Sequence, residues 1–181
     1  TRERHVILIE QAAFPSDRYA VVSQIQWHGL DPATSLVQIA PRPGEQLLRH
    51  EDLVAEIERI GPRLALVLMP GIQYLTGQLL DLGGLTKAAH AVGAHAGFDL
   101  AHAMGNVPLA LHDWGADFAV WCSYKYLNGG PGATAGAFVH ERHFATDLPR
   151  LAGWWGNDLA NRFEFGTEFR PYAGAAGWQV S

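Results

Sequence analysis

Apolar positions along the chain alternate between short continuous runs and longer stretches at helical spacing. "RHVILIE", "SLVQIAP", "HAGFDL", "DFAVWCS" and "AGAFVH" are strand-sized runs. "RLALVLMPG", closed by Pro-Gly, reads as a strand buried on both faces. Between them, "FPSDRYAVVSQIQWHG" opens with a Ser/Asp cap signal and keeps helical spacing to Gly29. "HEDLVAEIERIG" predicts a helix with acids early, Arg59 late and Gly61 closing it. "LGGLTKAAHAVGA" predicts another, ending at Gly93. Alternating strands and helices predict an α/β fold, three-layer, with a mostly parallel sheet flanked by helices.

Such sheets bind ligands beyond the carboxyl ends of their strands. "FDLAHAMGN" puts Asp99 at one predicted strand end, with His102 three residues on. "CSYKYLNGGPGA" puts Lys125 between two tyrosines after another, followed by glycines that let backbone approach a bulky ligand. Asp99 reads either as a cap for the next turn or as a carboxylate paired with a cationic nitrogen. His102 is a structural histidine or a ring neighbour of a flat ligand. Desolvation would lower the pKa of Lys125 and free its amine for Schiff-base formation. Tyr124 is half-buried packing or a hydroxyl aimed at a phosphate. Phe14, Pro15, Ser16 and Asp17 are a helix start or a contact segment offering a ring face, a hydroxyl and a carboxylate. Trp154, in "GWWGN", is packing or an indole N–H donor.

Composition narrows the field. The 181 residues are 48% hydrophobic and 17% charged, the balance of a globular chain with the length of one domain. A net charge of −5 without a basic cluster argues against nucleic acid or an anionic membrane surface as partner. A single cysteine, Cys122, excludes an internal disulfide framework and fits a reducing compartment. No run approaches the ~20 apolar residues of a membrane span. The nine histidines form no HExxH, and one cysteine leaves no zinc cluster. No dinucleotide, P-loop or nucleophile-elbow motif appears either.

Taken in order, "AFPSD", "YLTGQ", "GFDLAHAMGNVPLALHDWGADFAVWCSYKYLNGGPG" and "GAFVHERH…GWWGN" resemble the kynureninases, fold-type I pyridoxal phosphate enzymes of the aminotransferase class V superfamily. Cysteine desulfurases share the order Asp…His/Gln…Lys, but not "DLAHAxGNV" together with "CSYKYLN". The resemblance implies that Lys125 is the Schiff-base lysine and general base, and that Asp99 partners the pyridinium nitrogen. It places His102 near the ring and its hydroxyl, and Phe14 over the ring face with Pro15, Ser16 and Asp17 beside it. Tyr124 and Trp154 would contact the phosphate, Trp154 across a homodimer interface, and Tyr124 would also move a proton. Pro70 stands where some members carry a cofactor-touching Ser or Thr, and no contact is assigned to it.

The implied activity is hydrolysis of L-kynurenine, or its 3-hydroxy form, to anthranilate or 3-hydroxyanthranilate and L-alanine, in tryptophan catabolism and NAD biosynthesis in the cytoplasm. The alternatives are another class V activity, a desulfurase or transaminase, and a non-catalytic fragment. Residues 1–181 would be a partial cofactor-binding large domain. An upstream Leu-Thr phosphate segment, a downstream Asn or Thr contact and a C-terminal small domain would lie outside it.

Overall fold

Each predicted apolar run forms a strand in the computed structural model, which describes residues 3–146 and 148–180. The chain divides into two compact units, Thr1–Gly136 and Ala137–Ser181. In the first, β1 (Val6–Glu10), β2 (Leu36–Ile39), β3 (Leu64–Pro70), β4 (His95–Asp99) and β5 (Phe118–Trp121) lie in the order β2-β1-β3-β4-β5. Every one of these pairings is parallel. Pro70 pairs with Asp99 and Asp99 with Val120, so three strands end level with one another. The chain steps one way from β1 to β2 and then back across to β3. The order therefore reverses between β1 and β3, the place where such sheets open a crevice.

Helices cover the sheet. On α1 (Pro15–Trp27), Val21 and Ile25 pack on Ile9, with Ile7 and Leu68 alongside. Strand alternation sends Val6 and Leu8, both fully buried, to the opposite face. On α3 (His50–Ile60), Leu53, Ile57 and Ile60 form one buried stripe. Leu85 and Ala89 play that part on α4 (Leu82–Ala91). These two helices pack on each other, α3 against β3 and α4 against β3 and β4. The result is the three-layer α/β arrangement with a mostly parallel sheet. No helix among the described residues is long and apolar enough to cross a membrane.

Three local features depart from the sequence reading. Ser16 and Asp17 do not cap α1: Pro15 is its first residue, Phe14 its N-cap, and no side chain caps it. A proline at the first position suffices, because its fixed φ suits the helix and the N–H it lacks would go unpaired there. β3 is only partly enclosed, with Leu64, Val67 and Met69 buried and the residues between them intermediate. Two four-residue helices, α2 (Pro32–Ser35) and α5 (Leu111–Trp114), are too short to produce a periodic signal.

Several buried polar groups find partners. Asp117 accepts from Ala96 N and lies 2.8 Å from His90 Nε2, tying α4 to the starts of β4 and β5. β6 (Gly136–Val139) runs across the boundary between the units. The second unit is built of 3-10 turns joined by an Asn157–Pro171 bridge. Its Arg162 is 7% exposed, donates to the carbonyls of Trp155 and Asn157, and lies 4.9 Å from the Trp155 ring centre.

Candidate active site

A cavity of about 300 Å³ opens where β1, β3, β4 and β5 end, at the lower end of the ~300–1,000 Å³ range of small-molecule pockets. Its walls hold Phe14, Ser16, Asp17, Asp99, His102, Tyr124 and Lys125. These are all the cofactor-site candidates read from the sequence except Pro15, which is not on the wall, and Trp154; Pro70, to which no contact was assigned, is on the wall too. Trp154 lies in the second unit, 43% exposed, with the rings of Phe163 and Phe165 at 5.8 and 5.9 Å.

Asp99 ends β4. Its Oδ1 accepts from Ala101 N at 2.8 Å, a turn that directs the carboxylate out of the sheet. The turn places His102 on a short coil of chain closed by Met104 N to Leu100 O and Val107 N to Ala103 O. Lys125 sits on a second loop, held by Asn128 N to Lys125 O at 3.0 Å and Gly129 N to Ser123 O at 2.9 Å. Gly105, at φ +79°, lets the two loops touch, because a Cβ there would meet the Tyr126 carbonyl at 2.9 Å.

Across this contact Lys125 Nζ lies 3.0 Å from His102 Nε2. Burial, and then the Lys125 charge, push the His102 pKa below its usual 6.5, against a smaller pull from Asp99. His102 is therefore neutral at neutral pH. A neutral imidazole accepts from an ammonium or donates to an amine, so it bonds Lys125 in either charge state. Lys125 Nζ also lies 5.9 Å from the Tyr124 ring centre.

The carboxylates are crowded. Burial, the Asp99 charge and a hydrogen bond shared with Asp99 push Asp17 up to about 7, and a bond from Ser16 pulls it back. A buried carboxyl beside a second one holds its proton to higher pH than a solvated acid does. Tyr124 is 55% exposed. A hydrogen bond with Cys122, then the Cys122 charge, hold its phenol protonated to higher pH than usual.

Among the wall residues not foreseen are Glu10, Tyr74, Trp121 and Cys122. Glu10 had a visible signal, since an acid closing the apolar run "VILI" matches the pattern that exposed Asp99. It is 4% exposed, and burial raises its pKa against a hydrogen bond from Gln73. Tyr74 sits in a turn without periodicity and touches Phe14 edge-on, the ring centres 5.3 Å apart.

This donor set suits a flat cationic heteroaromatic ring bearing an aldehyde. In such a site the carboxyls of Asp17 and Asp99 would suit a ring nitrogen, Phe14 and His102 would offer ring surfaces, and Lys125 would offer an amine to the aldehyde.

A profile of the aminotransferase class-V family matches residues 22–168. The chain is 58% identical over 182 aligned residues to a kynureninase of Koribacter versatilis, and 57% identical to one of Myxococcus xanthus. Each alignment takes in the whole chain and 43% of the relative, so the chain spans less than half the length of these proteins. Among solved structures, a cysteine desulfurase from Thermococcus onnurineus superposes with TM-score 0.71 at 18% identity, over 99% of this chain and 42% of that one. The desulfurase CsdA of Escherichia coli gives 0.75 at 17% identity, over 98% and 41%. At these identities the structural likeness speaks for the fold alone. With the profile covering most of the chain and a site assembled from its family-like segments, the chain belongs to the aminotransferase class-V family.

Proposed function

We propose that this chain is the central part of a pyridoxal phosphate enzyme that hydrolyses L-kynurenine, or 3-hydroxykynurenine, to anthranilate, or 3-hydroxyanthranilate, and L-alanine. The observation that carries the reading is the convergence of Asp99, His102 and Lys125 on one cavity at the strand ends. The kynureninase relatives supply the substrate. The desulfurase likeness, at under a fifth identity, does not compete with them.

When bound, pyridoxal phosphate supplies an electron sink for the carbanion formed at the substrate α-carbon. The chain's own residues do the rest. Asp99, with Asp17 beside it, keeps a proton on the ring nitrogen. Phe14, with Pro15 and Ser16 in the same segment, covers one ring face. Lys125 would hold the cofactor aldehyde until the substrate amine takes its place, and its freed amine would then accept the substrate α-proton as general base. His102 bonds that amine whether charged or neutral and so holds it in position. Tyr124 contacts the phosphate and delivers a proton as water adds to the γ-carbonyl and the Cβ–Cγ bond breaks. Trp154 completes the phosphate site from the second subunit of a homodimer. The enzyme works in the cytoplasm, in tryptophan catabolism and NAD biosynthesis.

The test is a visible absorption titration of the full-length protein with pyridoxal phosphate, wild type against Lys125→Ala, followed by kynurenine turnover. The expected result is a saturable band and turnover in the wild type, with both lost in the variant. An identical band in both proteins would overturn the lysine assignment. Turnover of cysteine and none of kynurenine would replace the proposed activity with a desulfurase one.

A further inference from the structure

Gln73 belongs to no motif considered above, yet it is 4% exposed and its side chain takes part in five hydrogen bonds. Its Oε1 accepts from Leu75 N at 2.6 Å, Thr76 N at 2.9 Å and Thr76 Oγ1 at 3.4 Å. Backbone N–H groups only donate, so the amide cannot be turned round. Its Nε2 must therefore face the other way, toward Glu10 Oε1 at 3.3 Å and the Ala12 carbonyl at 3.2 Å. One side chain thus ties together two loops that are far apart in sequence. The first leaves β1 through Ala12 and delivers Phe14. The second leaves β3, is closed by the Ile72–Leu79 bridge and by Leu80 N to Gly71 O, and delivers Tyr74. The rings of Phe14 and Tyr74 then meet at 88° on the cavity wall.

We infer that Gln73, clasped to Glu10 and the Ala12 carbonyl, is the positioning residue that sets the Phe14–Tyr74 aromatic corner against which the cofactor ring packs. The inference rests on the functional reading above. Gln73 does not touch the ring. It acts through two loops that leave the adjacent strands β1 and β3, and its side chain hydrogen-bonds both of them. Glu10 is the other half of the clasp: buried at the end of β1, it needs a donor, and Gln73 supplies one.

The experiment compares full-length wild type, Gln73→Glu and Gln73→Ala. It measures pyridoxal phosphate affinity by absorption titration and the induced ellipticity of the bound cofactor, at about pH 6 and about pH 8.5. Gln73→Glu keeps the acceptor for Leu75 and Thr76 but presents an acid to Glu10. At the lower pH a shared proton lets the two carboxyls bond; at the higher pH they repel. The expected result is affinity within about twofold of wild type at the lower pH and a ~10-fold loss at the higher, with ellipticity falling in step. Gln73→Ala is expected to lose ~10-fold at both.

A wild-type band with both variants matching it in affinity and ellipticity at both pH values would overturn the inference and leave the functional reading standing. So would an equal loss in Gln73→Glu at both pH values, which is general damage to the site. A wild type without the band would overturn the functional reading, and the inference with it. If Gln73→Ala does not fold, the pH comparison within Gln73→Glu decides alone.

Discussion

Replacing Asp17 by asparagine isolates the electrostatics of the carboxyl pair, because an amide can still donate to Asp99 but no longer ionises. In the folded chain Asp17 rises from its ordinary 3.8 to about 7, through burial first and Asp99 second. An acid whose pKa is raised by folding contributes stability in full below the unfolded value, and that contribution is lost as pH rises through the folded value. The window therefore runs from 3.8 to about 7. At ~1.4 kcal/mol per tenfold change in proton affinity, the full rise corresponds to about 4 kcal/mol. Asp17 keeps part of its surface in water, and screening there reduces the figure to about 2 kcal/mol.

The assay is urea unfolding of the cofactor-free protein in steps from about pH 4 to about pH 8. Other groups titrate as the pH changes, so the quantity of interest is the difference between wild type and Asp17→Asn. Relative to the variant, the wild type is expected to lose ~2 kcal/mol on going from the bottom of the window to the top. Parallel stability curves would refute the reasoning, because Asp17 would then ionise in the folded chain much as it does unfolded. A wild type that gained on the variant with rising pH would reverse the sign and point to a cation beside Asp17.

Two further outcomes follow from the geometry. His102 is expected to titrate below 6.5 in a nitrogen-correlated NMR experiment, and to move upward in Lys125→Met as the neighbouring charge goes; no movement would mean that the 3.0 Å contact does not form in solution. Gly97→Ala is expected to destabilise the chain by ~2–3 kcal/mol in urea unfolding, since overpacking a filled site forces neighbours to shift. Its new methyl would fall within the Phe118 ring on the adjacent strand, and a loss within error would show that β4 and β5 yield easily.

By itself the sequence determined the layers and which charged side chains emerge at the strand ends. Strand-length apolar runs alternating with helical spacing leave few ways to bury both faces of a sheet, and parallel crossovers carry every strand end to one side. Asp99 and Lys125 were legible because a charged residue that closes or follows an apolar run has to emerge at that side. Glu10 carried the same signal in "VILIE". Only the tertiary structure decided how these groups affect one another. That His102 lies against Lys125, that Asp17 lies beside Asp99, and that Gln73 joins the loops of Phe14 and Tyr74 are contacts between segments 23 to 82 positions apart, and no local periodicity encodes them. Hydrophobic burial fixes which faces meet over many residues at once, and so leaves a repeating trace in the chain. A hydrogen bond or a shared proton is set by a few tenths of an ångström between single atoms, and that appears only when the strands are side by side.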